Sequence, residues 1–340
     1  MNKGIDIVVL WLDGNDTNWQ KEKEKYFAKE PAPEKTDAST ARYREWDLMR
    51  YWFRAVETYA PWVDQIHFVT CGHLPPWLNT AAPKLHIVKH QDYMPAEYLP
   101  TFSSHPIELN IHRIANLSDR FVYFNDDCFL TAPTKPEDFF KNGLPRDCLK
   151  ENPIAFECKQ QYNYILMNDI LFANRHFERA AVRKKLGKKW FPVNAPKTLL
   201  RNLITLFLRH KRFFGLAVHH LPQPFLKETL EQVWASEPEL LHQTSCHRFR
   251  HDGDISQISF KFWQLLSGNF VPVDMDRFGK AMNVTRDLDE ICECIVQKRY
   301  KTICVNDGEN VDFETAKRRL HQAFEKVLPN RSSFELDGGI

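Results

Sequence analysis

The sequence predicts an α/β protein: a mostly parallel, Rossmann-like sheet flanked by helices, followed by a more helical C-terminal half. Three observations predict it. Short apolar runs at residues 5–12, 65–71, 85–90 and 121–124 are bounded by turn residues and read as buried strands. Helical patterns at 45–59 and 107–116 lie between them, and strand–helix–strand alternation favours a parallel sheet covered on both faces. Two of the runs also end in acidic turns, Asp13-Gly14-Asn15-Asp16 and Asn125-Asp126-Asp127.

The elements follow in order. Residues 5–12 form the first strand. Residues 17–40 are polar, with Pro31 and Pro33, and read as loop or irregular helix. Glu45–Tyr59 carries Leu48, Met49, Trp52, Phe53 and Val56 at helical spacing, and Pro61 stops it. Strands follow at 65–71 and 85–90, a helix at 107–116 and a strand at 121–124. Helices are predicted at 198–214, 225–234, 255–266 and 313–327. The division expected is one α/β catalytic domain from 1–174 and 215–330, a basic amphipathic insertion at 175–214, and a frayed tail at 331–340.

Bulk properties narrow the class. The 340 residues are 43% hydrophobic, enough for a large core. A net charge of +2 speaks against nucleic acid as a partner. Eight cysteines are too few for a disulfide scaffold, so reduced thiols and a cytoplasmic setting are expected. No apolar run reaches the roughly 18 residues of a membrane span. Residues 175–212 nevertheless collect basic side chains from Arg175 to Arg212, opposed only by Glu178 and interleaved with Leu199, Leu200, Leu203, Ile204, Leu206, Phe207 and Leu208. Such a segment either lies on the inner face of an anionic membrane or is a solvated face over a buried helix.

In doubly wound folds, sites form at the carboxyl ends of strands, where both acidic turns fall. Adjacent Asp126 and Asp127 suit Mg²⁺ or Mn²⁺, which take carboxylate and phosphate oxygens; a helix cap is the structural alternative. Asp13 suits a ribose, base or metal, and Gly14 would admit a ligand close to the backbone; an ordinary tight turn is equally consistent. Ser103 or Ser104 can cap the next helix, on which Glu108 and His112, four apart, would share a face. His219-His220-Leu221-Pro222 and the 247–254 stretch, with Arg250, His251 and Asp254, supply a base and a phosphate-binding fork; a solvated loop is the alternative. No G-x-S-x-G, H-E-x-x-H or P-loop pattern is present.

Together these blocks resemble the Stealth family of hexose-1-phosphate transferases. The first block is residues 5–16. The second runs from Arg42 to Phe129 and closes on Asn125-Asp126-Asp127. The third is His220-Leu221-Pro222 with 247–254, and the fourth is Cys304-Val305-Asn306-Asp307. Glu45-Trp46 stands where the family usually has Asp-Asn. The resemblance implies a GT-A-like fold and a UDP-sugar donor, with N-acetylhexosamine-1-phosphate passed to a glycan or lipid-linked glycan hydroxyl and UMP released. It implies His220 as base, Arg250 as phosphate clamp, and Asp126 and Asp127 as ligands of Mg²⁺ or Mn²⁺, with Asp127 also catalytic. Asp13, Gly14, Arg44, Ser103, His112, Arg113, Asn125 and Asp254 would hold the donor. The rival expectations are a metal-dependent glycosyltransferase that releases UDP, and a non-catalytic glycan-binding scaffold.

Overall fold

The computed structural model describes residues 4–29, 44–155, 161–308 and 311–336. A five-stranded sheet organises them. Its first four strands are β1 (Asp6–Leu10), β2 (Ile66–Thr70), β3 (Leu85–Lys89) and β4 (Arg120–Phe124). They run parallel in the order β3-β2-β1-β4, and the Gln223–Leu226 strand closes the β4 edge antiparallel. Alternate residues serve opposite cores: Ile7 and Val9 face one hydrophobic cluster and Val8 the other. Burial on both faces explains why β1 reads as a continuous apolar run.

Two helices frame the first acidic turn. Helix α1 (Thr17–Phe27) is regular where loop or irregular helix was expected; Asp16 caps it, accepting the Trp19 amide at 2.7 Å. It buries Trp19 alone, so it shows little apolar periodicity. The expected loop at 30–40 lies outside the described residues. Helix α2 (Met49–Tyr59) buries Trp52, Phe53, Val56 and Tyr59 and ends at Ala60, before Pro61.

Other expectations need correction. The helix placed at 107–116 is Ser104–Leu109, broken at Asn110 and followed by a 3₁₀ turn at Ile111–Arg113. The helix placed at 225–234 begins as the Gln223–Leu226 strand and is helical only over Lys227–Ser236. Pro224 is tolerated there because the strand is at the sheet edge, and its carbonyl accepts from Gln264. The helix placed at 198–214 spans Pro196–Ile204 and tightens into a 3₁₀ turn; Arg179 takes the Thr205 and Leu208 carbonyls at 2.6 and 2.7 Å, which ends it.

Residues 331–336 are not frayed. Phe334 is buried against Phe53, and Glu335 bridges to Leu78. Arg54 holds the Glu335 carboxylate with two hydrogen bonds of 2.8 and 2.9 Å and also reaches the Leu328 carbonyl. Burial by itself would raise the Glu335 pKa, but the Arg54 hydrogen bonds outweigh it and hold it low. A depressed carboxylate contributes stability above its unfolded pKa and loses it as pH falls through the folded one. Arg54→Ala strands a buried carboxylate, so it is expected to cost about 3–5 kcal/mol in chemical denaturation at neutral pH. The difference between wild type and variant should shrink below about pH 4; a loss under about 1 kcal/mol contradicts this.

Candidate active site

The chain runs β1-β2-β3 to one side, then returns to place β4 on the other side of β1. The carboxyl ends of β1 and β4 therefore flank the point where winding reverses, where doubly wound sheets open a crevice. Both acidic turns leave the sheet there. Asp13 follows β1; its amide donates to His73 Nε2 at 2.8 Å and its Oδ1 accepts the Asn15 amide. Asn125-Asp126-Asp127 follows β4.

Two further strands bring the remaining groups. The Gln223–Leu226 strand runs antiparallel to β4, with Gln223 opposite Tyr123, so the residues just before it arrive at the acidic turn. His220 Nε2 lies 2.8 Å from Asn125 Nδ2 and 3.4 Å from Asp127 Oδ1. The Tyr123 hydroxyl stands behind Asn125, 2.5 Å from its Oδ1 and 3.0 Å from Glu108 Oε1. On the other flank, β5 (Cys128–Leu130) pairs antiparallel with Thr302–Asn306, aligning Cys304 with Cys128. The Val305 amide bonds the Asp127 carbonyl at 2.8 Å, which delivers Asn306 and Asp307 to the same rim.

The electrostatics divide the carboxylates. Desolvation pushes Asp126 up to about 7, and the charges of Asp127 and Glu45 push the same way. Glu45 is also raised to about 7 by burial, opposed by the Asp47 amide and reinforced by Asp13. Asp127 is the reverse case. Burial would raise it, but the neighbouring His220 outweighs this and holds it low. His220 in turn loses hydration yet is held well above the usual imidazole range by Asp127. The Cys304 thiol is raised far up by burial, then by Cys128 and Asp127, so it stays protonated; Cys128 Sγ donates to Asp127 Oδ1 at 3.4 Å.

Arg250 sits in a second group at the same end of the sheet. Its guanidinium reaches Ser104 Oγ at 3.3 Å, and its carbonyl accepts from Gln161. Phe249 beside it stacks on Phe102 at 5.2 Å, in a cluster with Trp19 and Leu12 that backs the Asp13 turn. Arg44 pairs with Asp307 at 3.5 Å and lies over the Phe313 ring at 5.0 Å, while Trp46 Nε1 donates to Asp307 Oδ2.

The other residues predicted to hold a donor have protein partners of their own. His112 and Arg113 lie in the 3₁₀ turn that precedes β4 in the chain. The Arg113 guanidinium covers Trp234 at 4.8 Å, and burial lowers the His112 pKa to about 3. Glu108 and His112 share no helix face, because Asn110 breaks the helix between them. Asp254 is fully buried and saturated by His105, His247 and the His251 amide, so it organises the loop under Arg250. Ser103 is buried as the helix cap. Gly14 is buried with its carbonyl bonded to Gln20, and its φ is not among the positive ones. Sequence reasoning missed Glu45, His73, Cys128 and Asp307 as site residues. The C-x-N-D motif at 304–307 was the available signal for the last.

The carboxylates lie near enough to act on one another: Asp13 raises Glu45, and Asp127 and Glu45 raise Asp126. Asp127, Cys128, His220 and Cys304 also bring their ligand atoms within 4.8 Å of one another, as do His247, His251 and Asp254.

The mostly parallel sheet thus carries a His–Asp pair and an acidic cluster where its winding reverses, and the relatives of this chain make it a transferase. The chain belongs to the Stealth family: residues 42–147 match Stealth protein conserved region 2, and residues 294–339 match conserved region 4. It is 38% identical over 332 residues to the capsular polysaccharide phosphotransferase WcwK of Streptococcus pneumoniae, covering 97% of this chain and 98% of that one. The receptor polysaccharide phosphotransferase WefC of Streptococcus oralis is 37% identical, covering 99% and 100%. The exopolysaccharide phosphotransferase cps2G of Lactiplantibacillus plantarum is 34% identical, covering 97% and 96%. Among solved structures, the galactosyltransferase LgtC, bound to donor and acceptor sugar analogues, aligns at a TM-score of 0.40 and 10% identity over 97% of this chain and 98% of that one. That likeness is too distant to bear on the chemistry.

Proposed function

We propose that this enzyme transfers a sugar-1-phosphate, N-acetylhexosamine-1-phosphate, from a UDP-sugar to a hydroxyl of a glycan acceptor in capsule or exopolysaccharide synthesis. The observation that carries the reading is the His220–Asp127 pair at the carboxyl end of β4. The polysaccharide phosphotransferase names of its relatives support the reaction class.

The chemistry follows from those groups. In its neutral form His220 takes the acceptor hydroxyl proton, and Asp127 stabilises the imidazolium formed. Asn125 fixes the ring. The acceptor oxygen bonds to the sugar-bearing phosphorus as the bond from that phosphorus to the bridging oxygen breaks, so UMP leaves with that oxygen. Arg250 clamps the phosphates with its planar fork. Asp13 lies where it can meet the donor, and Arg44 lines the rim with Asp307. Asp126 and Asp127, with Asp13 and Glu45 beside them, would hold Mg²⁺ or Mn²⁺, which would neutralise the diphosphate.

Nucleotide analysis tests the reading. Purified enzyme given UDP-N-acetylglucosamine, Mg²⁺ and short glycans should release UMP in step with phosphodiester formation. Release of UDP makes it a conventional glycosyltransferase. Donor binding without any turnover, across a panel of UDP-sugars and acceptors, makes it a scaffold.

A further inference from the structure

The helix Pro196–Ile204 is built inside out. Its polar residues Thr198 and Asn202 are buried, and Leu200, Leu203 and Ile204 are 60, 45 and 54% exposed. The polar face is not inward by accident of a loose fit. Asn202 donates to the Leu149 and Trp190 carbonyls and accepts the Glu151 amide, all within 2.9 Å. Glu151 is buried in an ion pair with Arg179, and Thr205 bonds the same carboxylate. Phe207 follows at 87% exposed, and Val193 and Phe214 add 86% and 45%.

Water-facing helices place such side chains the other way round. The outward face is the one suited to an apolar medium, and its anchoring is too well bonded to invert. Charge names the medium. Lys184, Lys185, Lys188, Lys197, Arg201, Arg209, Lys211 and Arg212 are exposed along the same segment. Arg183, Arg209, His210 and Lys211 line a surface pocket of about 400 Å³ with Leu206 and Leu208. Apolar side chains ringed by cations fit the interface of an anionic bilayer, where the apolar groups enter the acyl boundary and the cations meet phosphate headgroups.

We infer that residues 193–214 dock this enzyme on an anionic membrane surface. No described helix is long and apolar enough to cross a membrane, so the contact is peripheral. Five residues lie between Phe214 and His220, so at most about 20 Å of extended chain separates the two. Docking therefore holds the catalytic crevice near the bilayer, within reach of a glycan carried on a lipid.

The test is flotation with vesicles of phosphatidylcholine containing about one third phosphatidylglycerol, against vesicles of phosphatidylcholine alone. Wild type should float with the anionic vesicles and stay behind with neutral ones. Leu203→Ser/Ile204→Ser/Phe207→Ser and, separately, Arg209→Glu/Lys211→Glu should each bind at least about tenfold more weakly. Both variants should keep the wild-type melting temperature and full turnover on a short water-soluble acceptor. Three results overturn the inference: wild type that does not float, neutral vesicles bound as well as anionic ones, or variants that float like wild type. A dimer in solution that the triple variant abolishes also overturns it, because a second copy then covers the face.

Discussion

His220→Ala is expected to lower kcat by about 10²–10⁴-fold while leaving donor affinity within about twofold of wild type. The split follows from position. His220 has a nearly half-exposed ring held by Asn125 and Asp127, and the proposed mechanism gives it the acceptor hydroxyl and not the nucleotide. In that mechanism its removal takes away the proton acceptor but leaves Asp13 and Arg250 in place. Rapid-quench kinetics for the chemical step and calorimetry for UDP-sugar binding separate the two effects. Full turnover by the alanine variant ends the assignment. Asn125→Ala, which loses only the contact that orients the ring, should cost less than His220→Ala and mostly in kcat.

Asp127→Asn should be as damaging, about 10³–10⁴-fold in kcat. The amide keeps the shape but loses the charge that stabilises the imidazolium, and it is a poorer ligand for a hard cation. Asp126→Asn should also turn over more slowly, because an amide is a poorer ligand for a hard cation. EDTA should abolish wild-type turnover, and Mg²⁺ or Mn²⁺ should restore it. If Asp126→Asn turns over like wild type, or turnover ignores EDTA, the acidic cluster is not a cation site.

The identification did not need the tertiary structure, because short motifs of unusual composition carried it: the acidic turn after β1, Asn125-Asp126-Asp127 and the C-x-N-D stretch. The alternation of strands and helices also announced a parallel sheet, since a strand buried on both faces leaves a continuous apolar run such as Ile7-Val8-Val9. Elements stabilised by one anchor were harder to read. Helix α1 rests on Trp19 and a cap, and residues 331–336 rest on Phe334 and the Arg54 ion pair, none of which leaves a periodic pattern.

What the sequence determined by itself was the family, the fold class and the pool of chemically able residues, because hydrophobic period and local motif are properties of neighbours along the chain. What only the tertiary structure decided was which members of that pool meet. Asn125 and His220 are 95 positions apart and touch because an antiparallel strand returns along β4. Cys304 reaches Cys128 by a second such pairing. His112 and Arg113 are closer in sequence to the acidic turn, yet they pack on the Trp234 ring. Contact between distant residues depends on strand order and direction, which the packing of the whole sheet sets and no local pattern encodes.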